Sequence, residues 1–188
     1  LGGLTMALGE VELNNPVSPR YDYGNVSLDF DGTDDYIDIA SDTIGFTNAN
    51  IFTFSAWVKT DLDHTSTVRR TVWGCNNTAS GFQFELGANS GTRRLQVIIN
   101  GAVVADSGNE AIQTGVWTHV VYTRSGTGAS THAFYANGVD AGLTNNNANN
   151  FADTASVHYI GRRAAASQPM DGNIKSVMFF DRVLTANE

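Results

Sequence analysis

The sequence predicts an all-β fold in which two antiparallel sheets pack face to face. Three observations carry this prediction. From Val26 onward, apolar residues recur at every second position, the period of strands with one buried face. No stretch sustains the period of a helix. Nineteen glycines stand against three prolines, which suits a turn-rich sheet protein.

The elements follow in order. Val26–Phe30 and Tyr36–Ile39 read as short strands around the turn Asp31–Asp35. Ile51–Lys59 (IFTFSAWVK) is a long strand in which Phe52, Phe54, Ala56 and Val58 share one face. Trp57 lies on the other, so both faces are expected to be covered. Thr71–Cys75 and Phe82–Leu86 come next. Leu95–Ile99 and Ala102–Ala105 flank Asn100-Gly101, a tight-hairpin signal because both central positions need positive φ. Trp117–Thr123 follows. A second pair, Asn137-Gly138, joins Ala133–Ala136 to Val139–Gly142. Val157–Gly161 and Ile174–Asp181 complete the pattern, and Thr144–Asn150 reads as a polar loop.

Residues 1–25 hold two of the three prolines and show no sustained period. They read as an extended arm or linker, either lying along the domain or reaching a partner, with residues 26–188 as one domain. The start at Leu1, without a signal-peptide pattern, reads as a cut. Thr185 and Glu188 have the spacing of a capping box, which opens a helix, so the end reads as a cut as well.

The 188 residues suffice for one domain with a full hydrophobic core. A net charge of −8 disfavours general nucleic-acid binding. No apolar run approaches the ~18 residues of a membrane span. The single cysteine, Cys75, excludes an internal disulfide and reads as a small buried apolar residue.

Six words occur in order: LDFDGTDDYIDI (28–39), FTFSAWVK (52–59), WTHVVYTR (117–124), FYANG (134–138), YIGRR (159–163) and MDGNIKSVMFFDRVLTANE (170–188). Together they resemble the laminin-G-like, concanavalin-A-like jelly-roll superfamily, from about Val26 to Glu188. The resemblance implies a jelly-roll sandwich of two curved sheets, used mainly for binding glycans or proteins. The family commonly has a His where His119 stands; its strand position and the lack of a paired Ser or Cys make it a structural histidine. A calcium ion, where the family carries one, uses an acid in a G-x-I-D-x-V word. Here that word is Gly172 to Val177, with Lys175 in place of the acid.

Several residue sets are candidates for function. Asp29, Asp31, Asp34, Asp35 and Asp38 offer oxygens to a hard cation. They fail the EF-hand pattern, since Asp34 and Ala40 stand at its sixth and twelfth positions. Asp31, Asp34 and Asp171 are the expected ligands if a structural calcium binds. Lys175 would repel the ion or replace it by pairing with Asp31 or a nearby carbonyl. Trp57, Trp117 and Trp73 are expected in the core. Tyr21, Tyr23 and Tyr36 remain as sugar-stacking rings. Arg69-Arg70, Arg93-Arg94 and Arg162-Arg163 are adjacent pairs whose members face opposite sides. They read as exposed strand ends with salt bridges, or as a rim for acidic glycans or a partner's carboxylates. Asn25-Val26-Ser27 and Asn76-Asn77-Thr78 match the glycosylation sequon.

Catalysis is not expected. Of five glutamates, Glu85 alone alternates away from the core toward a sheet's open face, and it has no acidic neighbour in its strand. The nucleophilic-serine and nucleotide-binding words are absent. Two readings follow. The first is a non-catalytic recognition or assembly module of a bacteriophage virion, a capsid decoration or tail/fibre protein, contacting other structural proteins or its own copies, with host-surface attachment as a further role. It rests on the irregular arm, the cut ends, the lack of a signal peptide and disulfide, and the scarcity of aromatic platforms. The second is an extracellular lectin-like module of a secreted bacterial enzyme or adhesin. It would bind sugars at loop tips through Asn76, Asn77, Asn146, Asn147, Arg162 and Arg163.

Overall fold

In the computed structural model, the described residues are 26–40, 50–61, 68–75, 81–87, 93–108, 110–151, 157–163, 167–185 and 188. The arm, with Tyr21 and Tyr23, and the loop asparagines Asn76 and Asn77 lie outside them. The period-two alternation becomes thirteen strands among the described residues. They are β1 (Leu28–Asp31), β2 (Ile37–Ala40), β3 (Ile51–Thr60), β4 (Arg69–Cys75), β5 (Phe82–Gly87), β6 (Leu95–Ile99) and β7 (Ala102–Asp106), followed by β8 (Thr118–Ser125), β9 (His132–Ala136), β10 (Val139–Asp140), β11 (Asn145–Asn146), β12 (Val157–Ile160) and β13 (Asp171–Phe180).

They form two antiparallel sheets. One runs β1-β13-β3-β8-β9-β10 and the other β11-β7-β6-β5-β4-β12-β2. Strands β4 to β7 pair in sequence order, but β1 pairs with β13, and β12 sits between β2 and β4. These long-range crossings give the jelly-roll topology. Both Asn-Gly turns behave as their chemistry requires, with φ of 51° and 77° at Asn100-Gly101 and 52° and 77° at Asn137-Gly138.

The inward-facing residues of the two sheets meet as a bed of aromatic rings. Phe54 of β3 lies 4.7 Å from Phe84 of β5, and Phe52 lies 5.1 Å from Phe82, centroid to centroid. Phe179 of β13 packs 5.0 Å from Phe54 and 4.7 Å from Trp73. Each fully buried ring of this kind stabilises the fold by about 1.5–3 kcal/mol.

Three details differ from the sequence reading. Trp57 and Trp117 are not in the core; they sit half-buried on the outer face of the six-stranded sheet, and Trp117 precedes β8. Only Trp73 of the three tryptophans is buried in the core. Strand β13 begins at Asp171 rather than Ile174, because Asp171 to Asn173 already pair with β1. Within the polar loop, Asn145–Asn146 form a two-residue edge strand against β7.

A polar cluster closes one end of the core. The Tyr122 hydroxyl lies 2.6 Å from His132 Nδ1, and His132 Nε2 lies 3.1 Å from the Asn147 carbonyl. A neutral imidazole satisfies both, accepting at Nδ1 and donating from Nε2. The fully buried Arg124 donates to Asn50 Oδ1 at 2.9 Å and to the Asn149 carbonyl. Burial lowers the His132 pKa, the Asn147 carbonyl opposes that, and the Arg124 charge adds to the lowering.

Two outcomes are expected. Phe54→Ala should lower the unfolding free energy by about 3–5 kcal/mol in denaturant titration. The second concerns acid. A histidine in the unfolded chain takes up its proton near 6.5, while folded His132 takes it up only below that. Its contribution to stability is therefore complete above 6.5 and is lost as pH falls through the lowered folded value. Melting temperature should drop across this window, and His132→Gln should flatten the drop.

Candidate functional site on the seven-stranded sheet

The strand alternation that sends Phe82, Phe84 and Leu86 inward turns Gln83 and Glu85 to the outer face of the seven-stranded sheet. Register places Thr71 and Gln96 on either side of Glu85, and Asp106 beside Gln96. Farther along, Tyr159 of β12 pairs with Asp38 of β2. The result is a polar row across β7, β6, β5 and β4.

This row is nearly sealed from solvent. Gln83 and Glu85 are 0% exposed and Gln96 2%. Gln96 Nε2 donates to Asp106 Oδ1 at 2.6 Å, and Gln83 Nε2 contacts Cys75 Sγ at 3.6 Å. Cys75 is buried, as its composition context led us to expect. Among the described residues, Oε1 of Gln83 and of Gln96 accept no hydrogen bond. Glu85 meets two guanidiniums, Arg163 at 3.4 Å and Arg69 at 3.5 Å. Burial raises the Glu85 pKa, while Arg163, Arg69 and Thr71 pull it back.

Arg162 and Arg163 reach this face because the chain after β12 crosses directly over β4. Gly74 makes the crossing possible: a methyl group there would overlap the Arg162 carbonyl. Gly161, at φ +93°, bends the chain with its Cα against the Phe30 ring. The crossing segment is bonded to β4 by Gly161 N to Val72 O (3.2 Å) and Thr71 N to Gln168 O (3.1 Å). Arg163 Nη1 also donates to Gln168 Oε1 at 2.9 Å.

Arg162 is held differently. Its guanidinium carbon lies 3.3 Å from the Tyr36 ring centroid and 4.4 Å from that of Tyr159. The two tyrosines meet edge to face, 5.9 Å apart. Tyr36 is 44% exposed. Among the described residues, no hydrogen bond or ion pair engages the Arg162 side chain.

The other sequence candidates lie elsewhere. Asn146 and Asn147 stand at the opposite edge of the same sheet, five strand positions from β12, roughly 24 Å at about 4.8 Å per strand. Asn147 is committed to the fold, donating from Nδ2 to Asn145 Oδ1 and Val103 O. The loop asparagines and Arg162-Arg163 therefore do not form one site. Arg69 and Arg70 divide as alternation requires, to Glu85 and to Asp171, whereas Arg162 and Arg163, past the end of β12, both lie on the outer face; all four are half-buried rather than exposed.

The acidic turn brings together two of the three expected ligands, Asp31 and Asp34. Carboxylate oxygens of Asp31, Asp34 and Asp35 lie within 4.8 Å of one another, all exposed. Asp171 is not in this group; its carboxylate faces Arg70 at 3.9 Å. Asp31 Oδ1 accepts the backbone N–H groups of Thr33 and Asp34, and Asp35 Oδ2 accepts that of Asp31. These bonds fold the turn, and only a part of the oxygen set is left for a cation wanting six to eight ligands. Lys175 neither enters the turn nor pairs with Asp31. Its ammonium lies 4.7 Å from the Trp117 ring and 5.6 Å from the Trp57 ring, on the other sheet.

His119 has a hydroxyl partner that its sequence neighbours did not reveal: Ser55 Oγ is 2.8 Å from Nε2. Trp57 stacks on the imidazole at 5.1 Å. Ser55 is 3% exposed, and no carboxylate pairs with His119 among the described residues, so the arrangement is a packing ladder and not a nucleophile with its base.

The fold defines a jelly-roll β-sandwich with one polar, arginine-rimmed outer face. The chain belongs to the Laminin_G_3 family, the concanavalin A-like lectin/glucanases superfamily, which it matches over residues 31–188. Among solved structures it is similar to the native heptameric SAP-like pentraxin of Limulus polyphemus, at 19% identity and TM-score 0.61, covering 84% of this chain and 76% of that one. It is also similar to domain 4 of AbnA, an extracellular arabinanase of Geobacillus stearothermophilus, in complex with arabinotriose. There the identity is 22% and the TM-score 0.55, over 75% of this chain and 65% of that one. A third likeness is the CBM40 of Ruminococcus gnavus IT-sialidase bound to α2,3-sialyllactose, at 16% identity and TM-score 0.55, covering 73% and 79%. No curated protein matched the sequence. Identities this low establish the shared fold.

The sequence marked Arg162, Arg163, Tyr36 and Glu85 one by one. It did not mark Gln83, Gln96 or Tyr159, although each sits one residue from a core position, which is the signal that places it outward. Gly74→Ala should force the Arg162 segment off the sheet and lower stability by about 1–3 kcal/mol in thermal melts. Glu85→Gln, which leaves two guanidiniums without their shared anion, should cost a similar amount, since both still reach solvent.

Proposed function

We propose that the domain is a non-catalytic, extracellular carbohydrate-binding module and that its sugar lies on the outer face of the seven-stranded sheet, at the β2–β12 end. The observation that carries this reading is the Tyr36–Arg162–Tyr159 stack. It combines a ring open to solvent with unengaged guanidinium donors, and apolar ring faces with a few placed donors are what saccharide recognition uses. Relatives of this fold whose structures hold arabinotriose and α2,3-sialyllactose support it. Nothing comparable supports assembly into a virion.

The non-catalytic part of the reading rests on Glu85. Hydrolysis of a glycosidic bond by the usual route needs two carboxylic acids about 5–10 Å apart across the scissile bond. The cross-strand partners of Glu85 are Thr71 and Gln96, both neutral, and two guanidiniums lie at 3.4 Å and 3.5 Å from its carboxylate. It is a buried member of an ion triad rather than an acid presented to a substrate.

A glycan array probed with the 188-residue chain tests the proposal. Binding to a defined set of glycans is expected, and Tyr36→Ala should weaken it by about tenfold, the worth of one ring contact. An array with no bound glycan, or binding indifferent to Tyr36, would remove this reading.

A further inference from the structure

We infer that Arg162 is a carboxylate receptor and that the saccharide this face takes is an acidic one. The inference rests on the sugar-binding reading above and adds its ligand class. It starts from a difference among neighbouring arginines. Arg69 and Arg163 both lie against Glu85, and Arg70 lies against Asp171. Arg162, adjacent in sequence to Arg163 and on the same outer face, has no carboxylate partner among the described residues.

Two tyrosine rings flank its guanidinium carbon, with centroids at 3.3 Å and 4.4 Å; because the rings stand at 81° to each other, only one of them can lie flat against the group. Ring contacts of this kind restrain the group without spending its N–H donors; Nε is buried, which leaves the two Nη groups for a ligand. A guanidinium so restrained, with its Nη groups unspent, matches the two oxygens of a carboxylate in a bidentate fork. Little side-chain freedom remains to be lost on binding, because the rings and the Gly74 crossing already hold the residue in place.

The surroundings set the selectivity. Glu85 is already matched by two guanidiniums, so its charge does not oppose an incoming anion strongly. Asp38 does oppose it, lying on the same face as the cross-strand partner of Tyr159. The acidic turn also comes near, with the Asp35 carbonyl beside Gly161. Yet neither Asp38 nor any other described acid ion-pairs with Arg162. In a chain of net charge −8, a guanidinium that its acidic neighbours leave unpaired is available to an anion brought from outside.

Two acid–neutral ligand pairs test this by isothermal titration calorimetry: trigalacturonate against its trimethyl ester, and α2,3-sialyllactose against lactose. In at least one pair, the acid should bind about tenfold or more tightly than its neutral counterpart, the usual worth of a charge-assisted bidentate contact. Arg162→Gln should abolish that difference while leaving the melting temperature within a few degrees. Asp38→Asn should tighten acid binding severalfold at low salt by removing a like charge. Equal binding of acid and neutral forms, or an undiminished acid preference in Arg162→Gln, would overturn the inference. If the array shows neutral glycans bound through Tyr36, the module reading survives and the acidic one falls. If no glycan binds at all, both fall.

Discussion

The molecule is organised by one bed of rings between the sheets. Phe52, Phe54 and Phe179 reach from one side, and Phe82, Phe84 and Trp73 from the other, with centroids 4.7–6.4 Å apart. Such packing tolerates no slip of register, because a shift by one residue would exchange every inward side chain for an outward one. Fixing the inner face therefore fixes both outer faces. Gln83 and Glu85 are outside because Phe82, Phe84 and Leu86 are inside, and Trp57 and Lys59 are outside for the same reason on β3.

The two outer faces resolve this in different ways. On the six-stranded sheet, Trp57, His119, Lys175 and Trp117 lean on one another as stacked rings and cations, a half-buried cover made of large side chains. On the seven-stranded sheet, small and medium polar groups are buried instead, and burial of a carboxylate costs several kcal/mol unless a partner offsets it. Arg69 and Arg163 supply that offset for Glu85. Arg69 comes from β4 itself, whereas Arg163 reaches Glu85 because the chain after β12 folds back across Gly74. One glycine thus couples the electrostatics of the sheet to the placement of Arg162.

Much of the architecture was legible in the sequence because it is a local property. Alternation, Asn-Gly turns and the order of the six words identify strands and their inward faces, and Trp73 went to the core as expected. Trp57 and Trp117 did not, since ring size says how much area a residue prefers to bury but not which side of a strand it is on. The site was legible only in pieces. Arg162 and Tyr36 are 126 positions apart in the chain and meet because β2 and β12 are neighbours. That adjacency follows from sheet order, which period and turn chemistry do not encode. The pairing of Ser55 with His119 was hidden for the same reason, as was the separation of Asn147 from the arginines.

The cation–aromatic cover on the six-stranded sheet has a practical side. The whole sequence contains two lysines, Lys59 and Lys175, and both lie beside the Trp117 ring. The opposite face carries its positive charge on arginines alone. Side-chain chemistry directed at primary amines therefore addresses a single surface of the domain. A molecule coupled or dye-labelled through its lysine side chains would be held by the six-stranded sheet, with Tyr36 and Arg162 turned away from the attachment point.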